Sequence, residues 1–186
     1  MKRPMSSKPV SETHLRMAQI MTPNDANILG KVFGGSLLSF VDLTASACAS
    51  RFAGHQAVTA SFDRVDFHEP IEIGEMVEAE AYISFVGRTS MEVTIDVFAT
   101  NLTQNRKRHC NTARVTMVAL KEGKPVEVPR LICENKEDKV RFLFGKVRRE
   151  LRKGRLEELA ALIERLEGAD ESTLDAWIAD SSPLLA

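Results

Sequence analysis

The sequence predicts an α+β domain in which an antiparallel sheet wraps one long, enclosed helix. Three observations carry that prediction. Residues 36–52 are apolar around most of a helical circumference, four later stretches are apolar at every second position, and Gly87-Arg88-Thr89 joins two of those stretches tightly.

Residues 1–12 read as a polar, mobile lead-in, and residues 13–21 alternate well enough to form a first strand. Thr22-Pro23-Asn24-Asp25-Ala26-Asn27 is loop by composition, because proline pre-sets a turn and Asn or Asp bonds its own backbone. In the helix that follows, Leu37, Leu38, Phe40, Val41, Leu43, Ala45, Cys48 and Phe52 surround most of the circumference, and Ser39, Asp42, Ser46 and Ser50 stack into a polar stripe at three- and four-residue spacing. Gly54 supplies the stop.

Residues 57–67 alternate Val58, Ala60 and Phe62 with Thr59, Ser61 and Asp63. Their apolar parity then switches to Val65 and Phe67, which predicts a bulge or bend between Asp63 and Val65. Residues 76–86, 90–100 and 109–120 keep a clean period of two and predict strands with one buried and one wetter face. These elements set the core domain at residues 10–132. Residues 133–186 form a basic extension: nine Lys or Arg lie in 136–155, then Leu156, Leu159, Ile163 and Leu166 predict a short amphipathic helix that docks on the core or on a second subunit. The last fifteen or so residues, with Ser181-Ser182-Pro183, are expected to fray or pack loosely.

Composition narrows the function. The chain has 186 residues, 44% apolar and 27% charged, as a globular protein does. A formal net charge of -1 argues against global binding to nucleic acid or a membrane surface. No secretory leader or membrane span is expected, and Cys48, Cys110 and Cys133 without close spacing suggest reduced thiols in a cytoplasmic setting.

Asp42 is the residue that needs a reason. A carboxylate on a mostly apolar helix carries a desolvation cost. Either its stripe faces solvent, or it lines a cleft where Asp42 serves as general base or nucleophile. Asn27 is either a turn residue or a ligand for a carbonyl or a water. Gly34 and Gly35 are either turn glycines or a helix start whose backbone N–H groups face a developing oxyanion. His68 is a weaker candidate base, Cys48 reads as a core thiol, and the basic run is either a solvated face or a phosphate contact.

In order, Asn24-Asp25-Ala26-Asn27, Gly30-Lys31-Val32-Phe33-Gly34-Gly35, Asp42, Val58-Thr59-Ala60-Ser61, Asp66-Phe67-His68-Glu69-Pro70 and Val86-Gly87-Arg88-Thr89-Ser90 resemble the hotdog-fold acyl-CoA thioesterases. The likeness is to the YciA type and to brain acyl-CoA hydrolase, and it covers about residues 13–121. It implies hydrolysis of fatty acyl-CoA without metal or redox cofactor, by homodimers that assemble into a homohexamer. Asn27 and Asp42 then meet from opposite subunits, the N–H of Gly35 with its neighbour Gly34 binds the oxyanion, Thr59 and Ser61 flank the thioester, and Gly87, Arg88, Thr89 and Ser90 contact coenzyme A. Ser36 and Leu43-Thr44 depart from the family pattern beside the site. A non-hydrolytic acyl-CoA-binding module is the alternative; a dehydratase would need a well-placed histidine.

Overall fold

The computed structural model of the protein describes residues 6–63, 65–66 and 69–179. Phe67, His68 and Ser181-Ser182-Pro183, on which part of the sequence reading fell, lie outside the described residues, as do residues 1–5.

The main sheet is antiparallel throughout, in the order β2 (Leu15–Ile20), β4 (Met76–Val86), β5 (Ser90–Asn101), β6 (Arg106–Lys121), β3 (Gln56–Phe62), with the short β7 (Lys124–Pro125) on β6. Helix α1 (Gly34–Ala53) lies in its curl, which is the hotdog arrangement. The helix forms as its periodicity predicts and stops at Gly54, whose φ of 69° is left-handed and whose N–H closes on the Ser50 carbonyl at 2.9 Å. Leu37, Phe40, Val41, Ala45, Cys48, Ala49 and Phe52 meet Val77, Ala79, Ala81, Ile83, Val93, Ile95, Val97, Ala113, Val115 and Met117 in one core. Three of the four expected strands thus place their apolar parity inward.

From Ser7 onward the lead-in is not loose. Ser7–Pro9 forms β1, parallel to β8 (Arg130–Ile132), and a 3-10 turn at Val10–Thr13 buries both of its end residues. Lys8 ties it to the end of α1, its Nζ donating to the Phe52 carbonyl at 2.8 Å. Sequence polarity misled here because backbone pairing and one long side chain hold the segment.

Strand β3 also departs from expectation. It carries a register shift between Thr59 and Ser61 that the alternation does not signal, while the bend expected between Asp63 and Val65 falls on Arg64, outside the described residues. It is an edge strand, so its apolar side finds no cover within the protomer: Val58 is 46% exposed and Phe62 37%. The adjoining side of α1 is open as well, with Leu43 59% exposed, so the helix is not enclosed all round.

On the outer face of the sheet, Glu78, Ser84, Glu92 and Thr94 are buried although the alternation assigns them to water. Cross-strand bonds satisfy part of this layer: Ser84 donates to the Glu92 carboxylate at 2.7 Å, and Thr94 to Ser84 at 3.0 Å. The first turns of α2 (Lys136–Glu167) cover it. Phe142 packs on Phe85 with ring centroids 5.0 Å apart, and Arg141 stacks over Tyr82 at 4.8 Å.

The extension holds one continuous 32-residue helix, longer than the short helix expected after the basic run. Neither Gly145 nor Gly154 interrupts it, and i,i+4 pairs such as Glu137–Arg141 and Glu157–Lys153 span its length. Two compact units divide the chain, one up to Gly145 and one from Lys146. The second contains the rest of α2 and α3 (Glu171–Ala179), a regular helix with no buried residue where fraying or loose packing was expected, with Arg165 stacked over Trp177. No described helix is long and apolar enough to cross a membrane.

Candidate active site

Asp42 lies in the third turn of α1, half-buried, on the side of the helix that β3 flanks. The Thr59 hydroxyl donates a hydrogen bond to Asp42 Oδ1 and also lies 3.4 Å from the Met117 sulfur. The pair sits at the open edge of the sheet, beside the exposed Leu43 and Val58. The serine stripe therefore opens to the outside of the protomer at the place where the sheet ends.

The N-terminus of α1 is formed by Gly34 and Gly35 after Phe33, which takes an extended conformation and gives the helix no side-chain cap. The first N–H groups of the helix consequently remain donors for something else, at its positive end. The ring of Phe33 occupies the space a Gly35 side chain would need. Glycine here admits an aromatic ring against the helix start, which sequence reasoning did not foresee. A groove of about 390 Å³ runs along this end, lined by Phe33, Gly35, Ser36, Ser39, Phe40 and Leu43, with Gln19 and Asp25 on its far wall.

Asn27 sits in the loop that leads to the helix. Its Oδ1 accepts from the N–H groups of Leu29 at 2.8 Å and Lys31 at 3.1 Å, so the turn reading of Asn27 is correct. The same bonds fix the side chain, aiming its Nδ2 donors elsewhere. Asn27 and Asp42 share no hydrogen bond among the described residues of one protomer. Ahead of it, Asp25 closes a capping box with Thr22, and those two bonds hold its carboxyl below the usual carboxylate range.

Ser61 lies past the register shift of β3, opposite Thr116. The Gly87-Arg88-Thr89-Ser90 turn is the tight hairpin expected, with the Gly87 N–H on the Ser90 carbonyl at 2.8 Å. The Arg88 carbonyl also accepts from Val128, which brings the segment before β8 against this turn. The loop after β3 is held by Arg108, whose guanidinium grips both oxygens of buried Glu75 at 2.6 and 2.7 Å and the Pro70 carbonyl at 2.8 Å. The Arg108 guanidinium holds the Glu75 carboxyl below its ordinary range, against the opposing effect of burial. Burial pushes the Cys48 thiol up to about 12, which removes it as a nucleophile.

A family model described as thioesterase superfamily matches residues 29–104. An acyl-CoA thioester hydrolase of Bacillus subtilis, YkhA, is 38% identical over 150 residues, which are 80% of this chain and 87% of that one. A hexameric acyl-CoA thioesterase of known structure is 35% identical with a TM-score of 0.77, covering 82% of this chain and 98% of its own. The acyl-CoA hydrolase of Staphylococcus aureus, solved with butyryl coenzyme A, coenzyme A and coenzyme A disulfide, is 34% identical with a TM-score of 0.76, covering 87% of this chain and 99% of its own. Three single alanine variants of that enzyme are also known as structures. They replace an asparagine, an aspartate fifteen residues further on, and a threonine seventeen residues beyond the aspartate.

Proposed function

Since the chain belongs to the thioesterase superfamily, as a hotdog-fold acyl-CoA thioester hydrolase, we propose that it hydrolyses fatty acyl-CoA through Asp42, with Asn27 supplied by a second subunit. The observation that carries this reading is the hydrogen bond from Thr59 to the Asp42 carboxylate. Asn27, Asp42 and Thr59 also keep the two spacings of the residues altered in the Staphylococcus aureus enzyme.

Hydrolysis of a thioester needs a nucleophile at the carbonyl carbon, donors for the tetrahedral oxyanion, and a proton for the departing thiolate. With Thr59 bonded to Oδ1, the other oxygen of Asp42 remains for the reacting water or for the carbonyl itself, so the carboxylate acts as base or as nucleophile. The N–H of Gly35, beside that of Gly34 at the positive end of α1, receives the oxyanion. Asn27 orients the water or the carbonyl, and Thr59 and Ser61 line the strand beside the thioester. Where it acts as base, Asp42 takes a proton from the attacking water and returns it to the sulfur of coenzyme A; where it acts as nucleophile, the thiolate leaves on its attack and water then opens the acyl anhydride. The Gly87-Arg88-Thr89-Ser90 turn holds the coenzyme.

The open edge of β3 supports the two-subunit site. An edge strand with exposed Val58 and Phe62, next to exposed Leu43, invites a second copy, and two copies so joined would assemble further into a hexamer. Residues 10–132 then form the catalytic domain and 133–186 an extension. The three free thiols suit a cytoplasmic enzyme. The test is thiol release from short-, medium- and long-chain acyl-CoA by the parent and by Asp42→Asn. Loss of roughly a thousandfold in kcat with coenzyme A binding retained is expected; equal turnover would end the assignment, and binding without turnover by the parent would make the protein an acyl-CoA-binding module.

A further inference from the structure

Helix α2 carries an exposed apolar row that the core of the first unit does not use. Within that unit Asp138 and Gly145 are buried and Phe142 packs on Phe85, while Val140 and Phe144 stand exposed. Val147 and Leu151, in the second unit, keep the same spacing and are exposed too. Steps of four, three, four and three residues join Val140, Phe144, Val147, Leu151 and Gly154, which is a heptad repeat with d at Val140 and a at Phe144. The row is also concave. A groove of about 560 Å³ in the second unit is lined by Val147, Leu151 and Gly154 of the row, with Glu150, Arg155 and Glu158 along its rims. Gly154 has open space around it, where a side chain from elsewhere can lodge.

The flanking charges select the occupant. In the same register Arg141, Arg148 and Arg155 fall at e, and Glu150, Glu157 and Glu164 fall at g. In parallel helices each g faces the e of the next heptad, so Glu150 of one copy meets Arg155 of another. In antiparallel helices e faces e and g faces g, which sets Arg against Arg and Glu against Glu. The helix is complementary to itself in one direction only. A β-branched residue at d with leucine at a, as at Val147 and Leu151, disfavours the two-stranded form. We infer that the exposed row of α2 is a seam between copies of this chain, packed as a parallel three-stranded coiled coil. Two heptads are too few to associate alone, since short helices are marginal in water. The seam therefore adds to protomers already joined elsewhere. The inference rests on the dimer at β3 proposed above, three of which the seam ties into a hexamer. The a positions after Leu151 are Glu158 and Arg165, so the seam ends there.

Sedimentation velocity of the full chain tests the seam. The parent should sediment as a hexamer. Leu151→Glu, which puts a carboxylate in an a layer, should fall to a dimer that keeps its helix content by circular dichroism and its acyl-CoA turnover per protomer. Leu156→Glu, similarly exposed but off the row, should keep the parental mass. Glu150→Arg and Arg155→Glu should each raise the concentration at which the hexamer dissociates roughly tenfold, and the double variant should restore the parental value. Parental mass in Leu151→Glu would overturn the seam, as would a parent that never exceeds a dimer. A fall straight to monomers would overturn it too, because two heptads cannot hold otherwise separate protomers together. Tighter association of Arg155→Glu is the antiparallel result and equally fatal. Binding of the parent to phosphatidylglycerol vesicles, abolished by Leu151→Glu without a change of mass in solution, would give the row to a lipid surface instead. If the hexamer splits in Leu151→Glu but the parent releases no thiol from acyl-CoA, the seam stands and the hydrolase reading falls.

Discussion

Thr59 on the edge strand β3 donates its hydroxyl hydrogen to the carboxylate of Asp42 on α1. This bond joins the strand that ends the sheet to the helix that fills it. It leaves one carboxylate oxygen for chemistry and sets the plane of the group. Thr59→Ala should lower kcat about tenfold with little change in KM, because a hydrogen bond to a charged group contributes about 1.5–3 kcal/mol. Thr59→Ser should recover most of the rate. Steady-state kinetics on one acyl-CoA decides it, and an unimpaired alanine variant would deny the threonine any positioning role.

If Asn27 and Asp42 act from opposite subunits, two dead variants rescue each other. Asn27→Ala and Asp42→Ala, unfolded together and refolded as a mixture, should regain about a quarter of parental activity, since half the dimers are mixed and each holds one intact site of two. Either variant refolded alone should stay inactive. No recovery in a mixture shown to contain mixed dimers would place both residues in one subunit.

Glu75 gives stability that depends on acid. Its folded carboxyl titrates below the ordinary range because Arg108 bonds it, so the unfolded chain binds the extra proton first as pH falls. The contribution is complete above the unfolded carboxyl value of about 4.3 and is lost as pH drops through the lower folded value. Glu75→Gln should cost about 2 kcal/mol at pH 7, because Arg108 loses its paired bonds to a charged carboxylate and keeps only Glu69 and the Pro70 carbonyl. The penalty should shrink toward pH 3 in urea titrations; a pH-independent penalty would contradict the linkage.

Gly145 allows α2 to approach β4. A side chain there would meet the Cβ of Phe85, which is fixed to the backbone and cannot swing away. Gly145→Leu should destabilise the first unit by about 2 kcal/mol, as overpacking does. The urea midpoint measures it. By contrast, Gly154 has open space around it, and Gly154→Ala should leave that midpoint unchanged or raise it slightly.

Cys48 should resist alkylation. Its buried thiol is pushed up to about 12, so iodoacetamide at pH 8 should modify it only after unfolding. Mass spectrometry of the folded protein would refute this by finding Cys48 labelled as fast as the partly exposed Cys133.

The sequence by itself determined the central helix, its glycine stop, the parity of three strands and the tight turn at Gly87. Each of these follows from a short-range period, since burial on one side imprints a spacing of 3.6 or 2 along the chain. The polar stripe through Asp42 was legible for the same reason. Tertiary structure decided what covers each face. Val58 and Phe62 alternate like core residues, yet they stand open because β3 is the last strand, and Glu92 alternates like a surface residue, yet α2 buries its face. The pairing of Thr59 with Asp42 and the bond from Val128 to the Arg88 carbonyl depend on which segments the fold makes neighbours. A local pattern records that a side chain leaves water; it carries no record of the distant element that takes the water's place.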